Sequence, residues 1–315
     1  MSPHFFIVGP GRSGTTLLRA ILDARPDTRI PGETHFYTTY RIENIARYHF
    51  LTAANYATAA QRYSNWRHVR YENLDWDRFR EIAASLPPRR GSILQAYLAT
   101  CAEHVGATYM GEKTPGHIRA LRRIWRDFPA ARFVNVMRDP RDVAASYLDH
   151  TLYARVFGDD VTRAVMKWIE AARIHRQVNS DPRYLMIRFE DLVAQPDQYL
   201  DAIQSFLGLP PEPGILRLYE SAKLTLPNNP NHVNINRPIS ASRIAAWKTR
   251  LSKEDVAYVE SFARKEMLAL GYAPSGGPLI SAAELNARRL RYWQTFGRYG
   301  GRRFIRAVRG RHETG

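Results

Sequence analysis

The sequence predicts an α/β fold in which a central, mostly parallel sheet lies between two helical layers. Three apolar runs, Phe5–Val8, Phe133–Met137 and Tyr184–Ile187, have the length and continuous hydrophobicity of strands buried on both faces. The first two each enter a glycine- or proline-bearing turn and then a helical pattern. Parallel strands need crossover connections, and those crossovers place helices on both sheet faces.

The elements follow in chain order. Phe5–Val8 leads through Gly9–Thr16 into the amphipathic run Leu17–Ala24. From Glu33 to Ala107 no strand pattern is read, and helical spacing occupies Thr39–Arg62 and Ser92–His104. Residues 35–107 are therefore expected to form a helical insertion over the sheet, shaping a substrate cleft. Pro140 suits the first turn of a helix after Phe133–Met137. Pro196 opens another, with Tyr199, Leu200, Ile203, Phe206 and Leu207 on one face and Gly208 as its stop. Ser252 and Asp255 form a capping pattern before Val256, Val259, Ala263 and Met267, and Gly271 ends that helix. The Asn- and Pro-rich stretch Lys223–Arg243 reads as a long, lid-like loop. Residues 1–275 are expected to make the main domain and 276–315 a basic, aromatic tail with a C-terminal helix.

Composition narrows the partners. Net charge is +16 over 315 residues, which attracts anions such as phosphorylated nucleotides, acidic glycans or anionic lipid. The 44 % hydrophobic content supports a packed core. The single cysteine, Cys101, excludes an intramolecular disulfide and a multi-cysteine metal site, and its apolar surroundings read as core. Only Met1–Pro3 precede the apolar run His4–Val8, which is too short for the hydrophobic core of a signal peptide, so none is expected. No run of about 18 apolar residues offers a membrane span.

The strongest chemical signal is Gly9-Pro10-Gly11-Arg12-Ser13-Gly14-Thr15-Thr16, between a strand and a helix. Glycines allow close approach of backbone to an anion, and helix N-terminal amides favour negative charge. The spacing matches a nucleotide-binding P-loop, except that Thr15 stands where that motif has lysine. That lysine reaches the outer phosphates of a triphosphate. A loop lacking it, but carrying Arg12, suits a smaller anion. Phe133–Met137 ends in Arg138 rather than in a magnesium-binding aspartate, so no metal is expected. Arg138 and Ser146, eight residues apart across Arg138-Asp139-Pro140-Arg141-Asp142, could together grip a phosphate monoester.

These two segments, in this order and context, resemble the sulfotransferases that use 3′-phosphoadenosine 5′-phosphosulfate (PAPS). The resemblance covers roughly Phe5–Gly271. It implies a P-loop-like fold in which Gly11, Arg12, Ser13, Gly14, Thr15 and Thr16 hold the 5′-phosphosulfate. Arg138, Ser146 and a late basic residue, Arg237 or Arg243, would hold the 3′-phosphate. Local similarity to tyrosylprotein sulfotransferases runs from Arg12 to Ala24 and on to Gly32-Glu33-Thr34. It implies catalytic roles for Arg12, Glu33 and Lys113, the last in the turn-like Gly111-Glu112-Lys113-Thr114-Pro115. Glu33 is the candidate base, with His35 and His117 as rivals. Trp168, Phe189 and Trp247 are candidate walls for the adenine. Phe189-Glu190-Asp191 departs from the family, which often has tyrosine at the first position.

The acceptor is expected to be a free hydroxyl on a glycan or glycolipid, or on peptide tyrosine. Between Glu284 and Gly315 nine arginines oppose two glutamates, with Tyr292, Trp293, Phe296, Tyr299 and Phe304 interleaved. That composition fits a helix on an anionic membrane surface. The expected location is cytoplasmic, peripheral on the inner face of the membrane. Two other readings are a P-loop nucleotide kinase or NTPase, and a non-enzymatic basic nucleic-acid-binding protein. The missing lysine opposes the first, and no nucleic-acid-binding signature supports the second.

Overall fold

The computed structural model describes residues 5–40, 51–70, 72–148, 160–222 and 239–294. Arg237, most of the 223–243 loop and the tail beyond residue 294 lie outside the described residues. The chain divides into two compact units, Met1–Met137 with Ile174–Ser240, and Arg138–Arg173 with Ala241–Gly315.

The first unit is built on five strands: β1 (Phe5–Val8), β2 (Thr28–Arg29), β3 (Tyr109–Lys113), β4 (Arg132–Met137) and β5 (Tyr184–Arg188). Their order is β2-β3-β1-β4-β5, and every pairing is parallel. β1 is central because it is the most apolar: all four residues are fully buried. Burying side chains of this size contributes about 1.5–3 kcal/mol each. Phe6 stacks on Phe133 of β4, with ring centroids 5.2 Å apart.

The three apolar runs are thus strands, and β2 and β3 are two that the apolar pattern does not reveal. β2 has only two residues. β3 reads Tyr-Met-Gly-Glu-Lys, too polar to look like a buried strand, yet its last four residues are buried. A Cβ on Gly111 would lie 2.4 Å from the Phe5 ring, so β1 packs closely against β3.

Helix α1 (Thr15–Asp23) follows β1 and buries Leu18, Ile21 and Leu22. The 35–107 segment holds α2 (Tyr56–Ser64), α3 (Trp76–Ser85) and α4 (Arg90–Val105), with no strand among its described residues. α3 is capped by Asp75, whose side chain accepts from the Asp77 and Arg78 amides. Tyr40, Tyr63, Phe79 and Tyr97 pack ring to ring across these elements. Cys101 is buried in α4, and burial pushes its thiol pKa up. α5 (Leu121–Asp127) precedes β4. Pro196 starts one later helix, and Gly208 ends it at φ +70°.

The second unit holds α6 (Pro140–Leu148), most of α7 (Asp160–Val178), the single turn Trp247–Arg250, and α8 (Lys253–Ala269). Ser252 caps α8 by accepting from the Asp255 amide. Arg141 is the polar centre of this unit. It donates to Asp139 and Glu260, each at 2.6 Å, and its guanidinium lies 4.1 Å from the Trp247 ring centroid. A helix over 282–294 rests on α8 through Arg288, which pairs with Asp255 and covers the Tyr258 ring. Among the described residues no helix is long and apolar enough to cross a membrane.

Candidate active site

In the first unit the anion loop is shaped by two glycines and a close strand neighbour. Gly9 has φ +147°, and a Cβ there would sit 2.5 Å from the Val136 carbonyl oxygen. Gly14 has φ +100°, and a Cβ there would meet the Phe189 ring at 2.4 Å. Both positions therefore require glycine, sterically and by backbone conformation. Arg12 adopts φ +68°, a left-handed conformation uncommon outside glycine. Ser13 is fully buried and donates to the Pro10 carbonyl at 2.7 Å, which folds the loop on itself. No side chain caps α1, so the amides at its start face outward with the positive end of the helix dipole.

The cation missing at position 15 comes from β3. Lys113 is buried, and its Nζ reaches Thr16 Oγ1 at 3.3 Å and Glu33 Oε1 at 2.5 Å. Lys113 is thus the last residue of a buried strand rather than part of an exposed turn. Parallel pairing puts it opposite Ile7, two residues before the anion loop begins. Burial raises the Glu33 carboxyl pKa, but Lys113 and a contact to His35 outweigh it and hold the group well below the usual carboxylate range. Burial lowers the Lys113 pKa, and its pairing with Glu33 offsets only part of that shift. Glu33 remains 31 % exposed, so the pair is open to solvent on the glutamate side. His35 Nε2 lies 3.3 Å from Glu33 Oε2.

A second, buried network fixes this pair. Successive strand residues point to opposite faces, so Glu112 turns away from Lys113. Its Oε1 accepts from Thr34 Oγ1 at 2.8 Å and Thr114 Oγ1 at 2.6 Å. Its Oε2 lies 2.8 Å from His117 Nδ1, and His117 Nε2 accepts the Tyr37 amide at 3.1 Å. Thr114 Oγ1 also accepts the His35 amide at 3.2 Å. The segment carrying Glu33 and His35 is thereby tied to the strand carrying Lys113. Both His117 nitrogens are engaged and the ring is fully buried, which removes His117 as a rival base. Burial raises the Glu112 carboxyl, but His117 and the two threonine hydroxyls outweigh it and lower its pKa.

In the second unit Arg138 is nearly buried and donates from Nη2 to the Arg243 carbonyl at 2.5 Å. Ser146 lies on α6 at 8 % exposure. Asp142 accepts the amides of Ala245 and Trp247, both at 2.9 Å, and this holds the segment after Arg243. Ala245 sits at φ +57°, so that segment is strained. Trp168 is fully buried and donates to the Arg138 carbonyl at 2.7 Å. Trp247 lies under Arg141. Both tryptophans act as supports, leaving Phe189, against Gly14, as the ring beside the anion loop.

The sequence pointed to Arg12, Glu33, Lys113 and the loop, and the first unit brings Glu33, Lys113 and Thr16 together. It missed Glu112, Thr34, Thr114 and Asp142. The strand register of β3 was the signal available for Glu112, and it was hidden by the strand's polarity.

A parallel sheet with an anion loop after its central strand defines an α/β protein of P-loop-like fold. The pattern of the sulfotransferase family matches residues 3–213, and the chain belongs to that family. Membership places it among the sulfotransferases, enzymes that transfer a sulfuryl group. It is similar to the protein-tyrosine sulfotransferase of Drosophila melanogaster, 27 % identical over 292 residues, covering 88 % of this chain and 53 % of the fly protein. The chain thus spans about half the length of that relative. Protein-tyrosine sulfotransferase A of Caenorhabditis elegans is 24 % identical over 285 residues, covering 88 % of this chain and 69 % of the worm protein. Among solved structures, the sulfotransferase domain from the curacin biosynthetic pathway shares the fold. Its TM-score is 0.60 at 19 % identity, covering 87 % of this chain and 99 % of that one.

Among the described residues no group of three or more His, Cys, Asp or Glu side chains could hold a metal ion. The residues of the anion loop fit a phosphosulfate: outward amides, a buried ammonium at Thr16 and an arginine within the loop.

Proposed function

We propose that this enzyme moves the sulfuryl group of PAPS to the phenolic hydroxyl of peptide tyrosine, with Glu33 as base. The observation that carries the reading is the Lys113 ammonium, bridging Thr16 of the anion loop at 3.3 Å and Glu33 at 2.5 Å. Sulfuryl transfer resembles phosphoryl transfer, in which charge spreads over peripheral, attacking and leaving oxygens. The protein's work is then to position the reactants, remove a proton and balance charge. Glu33 takes the proton, and Lys113 and Arg12 neutralise the transferring group and the leaving oxygen. In the first unit the loop from Gly11 to Thr16 takes the phosphosulfate, and in the second Arg138, Ser146 and Arg243 are the residues offered to a phosphate monoester.

Two features favour tyrosine over a glycan or glycolipid. A carboxylate held at low pKa is a weak base, better matched to a phenol near pKa 10 than to a sugar alcohol. Beside it lies a shelf of two part-exposed imidazoles, His35 against His68 at 4.4 Å, backed by the buried Trp66 at 5.2 Å. A phenol can lie against such a shelf. The similarity to protein-tyrosine sulfotransferases supports the same choice. The test is transfer of radiolabelled sulfate from PAPS to tyrosine peptides, glycans and lipid extracts in parallel. Label on glycan or lipid with none on tyrosine would overturn the acceptor assignment.

The location follows as a second part of the proposal: the enzyme works at an anionic membrane surface on the cytoplasmic side. On the 282–294 helix Leu290 is 59 % and Trp293 50 % exposed, one turn apart, with Arg291 beside them. Six further arginines follow in sequence before Gly315. The double variant Leu290→Ser, Trp293→Ser alters only exposed side chains. It should lose sedimentation with phosphatidylserine vesicles, and unchanged binding would remove the membrane role.

A further inference from the structure

We infer that His35 is a proton relay, carrying the acceptor's proton from Glu33 to solvent. The inference rests on Glu33 being the base and adds a residue that acts through it. The two oxygens of Glu33 are held differently. Oε1 faces the buried Lys113 ammonium at 2.5 Å, and Oε2 faces His35 Nε2 at 3.3 Å. A proton arriving on the carboxylate beside a fixed ammonium cannot leave toward Lys113, which has no lone pair to offer. Its other neighbour is an imidazole that is itself 28 % exposed.

The placement of this imidazole is built rather than incidental. His35 has φ +50°, a left-handed conformation that a non-glycine residue adopts at a cost of order 1–3 kcal/mol. The strain is held by the His35 amide, which donates to Thr114 Oγ1 at 3.2 Å, and by Thr34 on the buried Glu112. The ring is braced from the side by His68, 4.4 Å away, and His68 packs on Trp66.

The proton balance is simple. The acceptor O–H bond breaks as its oxygen bonds to sulfur, and the proton passes to Glu33. Glu33 then passes it to Nε2 of neutral His35 once the ring carries its own hydrogen on Nδ1 rather than on Nε2. The imidazolium loses its Nδ1 proton to water, which restores the Glu33 carboxylate and leaves the hydrogen on Nε2, and exchange of that hydrogen with solvent returns the Nδ1–H tautomer for the next turnover. The charged and titratable groups facing His35 are Glu33, with Lys113 behind it, and His68, with Arg67 stacked on the far ring of Trp66.

His35→Gly tests this. Glycine accepts the left-handed backbone and leaves a gap the size of an imidazole. kcat should fall about tenfold to a hundredfold, within the range of a positioned proton-transfer group. Affinity for adenosine 3′,5′-bisphosphate should stay within about twofold, which also reports an intact fold. Added imidazole should restore the rate in proportion to its concentration. His35→Asn, which also tolerates this backbone but cannot titrate, should lose rate without rescue. The relay is overturned if His35→Gly keeps the wild-type rate, or loses rate with no response to imidazole. Glu33→Gln is measured alongside. Full activity there would end the base assignment, whereas an inactive Glu33→Gln beside a normal His35→Gly would end only the relay.

Discussion

Replacing Lys113 by methionine separates catalysis from folding. Methionine keeps the length and apolar body of lysine, so β3 can stay packed while the ammonium is lost. In the native site that ammonium donates to Thr16 at 3.3 Å and to Glu33 at 2.5 Å, with only 1 % exposure. A unit charge about 4 Å from developing negative charge is worth about 4 kcal/mol at an effective dielectric of about 20. Removing one donor of this kind from other active sites costs about 2.7–4 kcal/mol. Lys113→Met should therefore lower kcat by about 10²–10³-fold. Stability should change far less. The variant no longer buries an ammonium, and Glu33 is exposed enough to be hydrated when its partner goes. The assay is single-turnover sulfate transfer, read beside the thermal midpoint and the affinity for adenosine 3′,5′-bisphosphate. A folded Lys113→Met enzyme with kcat within about threefold of wild type would refute the electrostatic argument, since the smallest loss worked above corresponds to about a hundredfold.

Glu112→Gln should destabilise the first unit, because an amide presents one oxygen and two N–H groups to a site full of donors. The cost is about 1–3 kcal/mol for the groups left unpaired, read as a fall in thermal midpoint. The same carboxyl has a lowered pKa in the fold, so its stabilisation is complete above the unfolded carboxylate range, near pH 4.3. It is lost as pH falls through the folded value, and the wild type should lose midpoint below about pH 4 more steeply than Glu112→Gln. In the second unit, Asp142→Ala leaves the Ala245 and Trp247 amides without their carboxylate and releases the segment after Arg243. The dissociation constant for adenosine 3′,5′-bisphosphate should rise about tenfold, by calorimetry, with kcat at saturating donor changed little. A rise shared equally by adenosine 5′-phosphosulfate, which lacks the 3′-phosphate, would contradict that placement.

What the sequence by itself determined was everything that local pattern encodes. Phe5–Val8 is apolar throughout and must be buried on both faces, so it is a central strand. Gly9 and Gly14 mark a turn that no side chain could fit, and Gly208 marks a helix end, because each needs a backbone that other residues resist. The anion loop followed from its glycines between strand and helix, and the candidates Arg12, Glu33 and Lys113 from the resemblance to tyrosylprotein sulfotransferases. Only the tertiary structure decided how those residues meet. β3 was illegible because Glu112 and Lys113 are polar, and their burial is compensated by Thr34, Thr114 and His117 on one face and by Glu33 and Thr16 on the other. Those partners lie as far as 97 residues away in sequence. Periodicity reports whether a side chain prefers water, and it is blind to a distant group that makes burial of a charge tolerable. The pairing of Lys113 with Glu33, the exclusion of His117 and the strained seat of His35 are consequences of that long-range compensation.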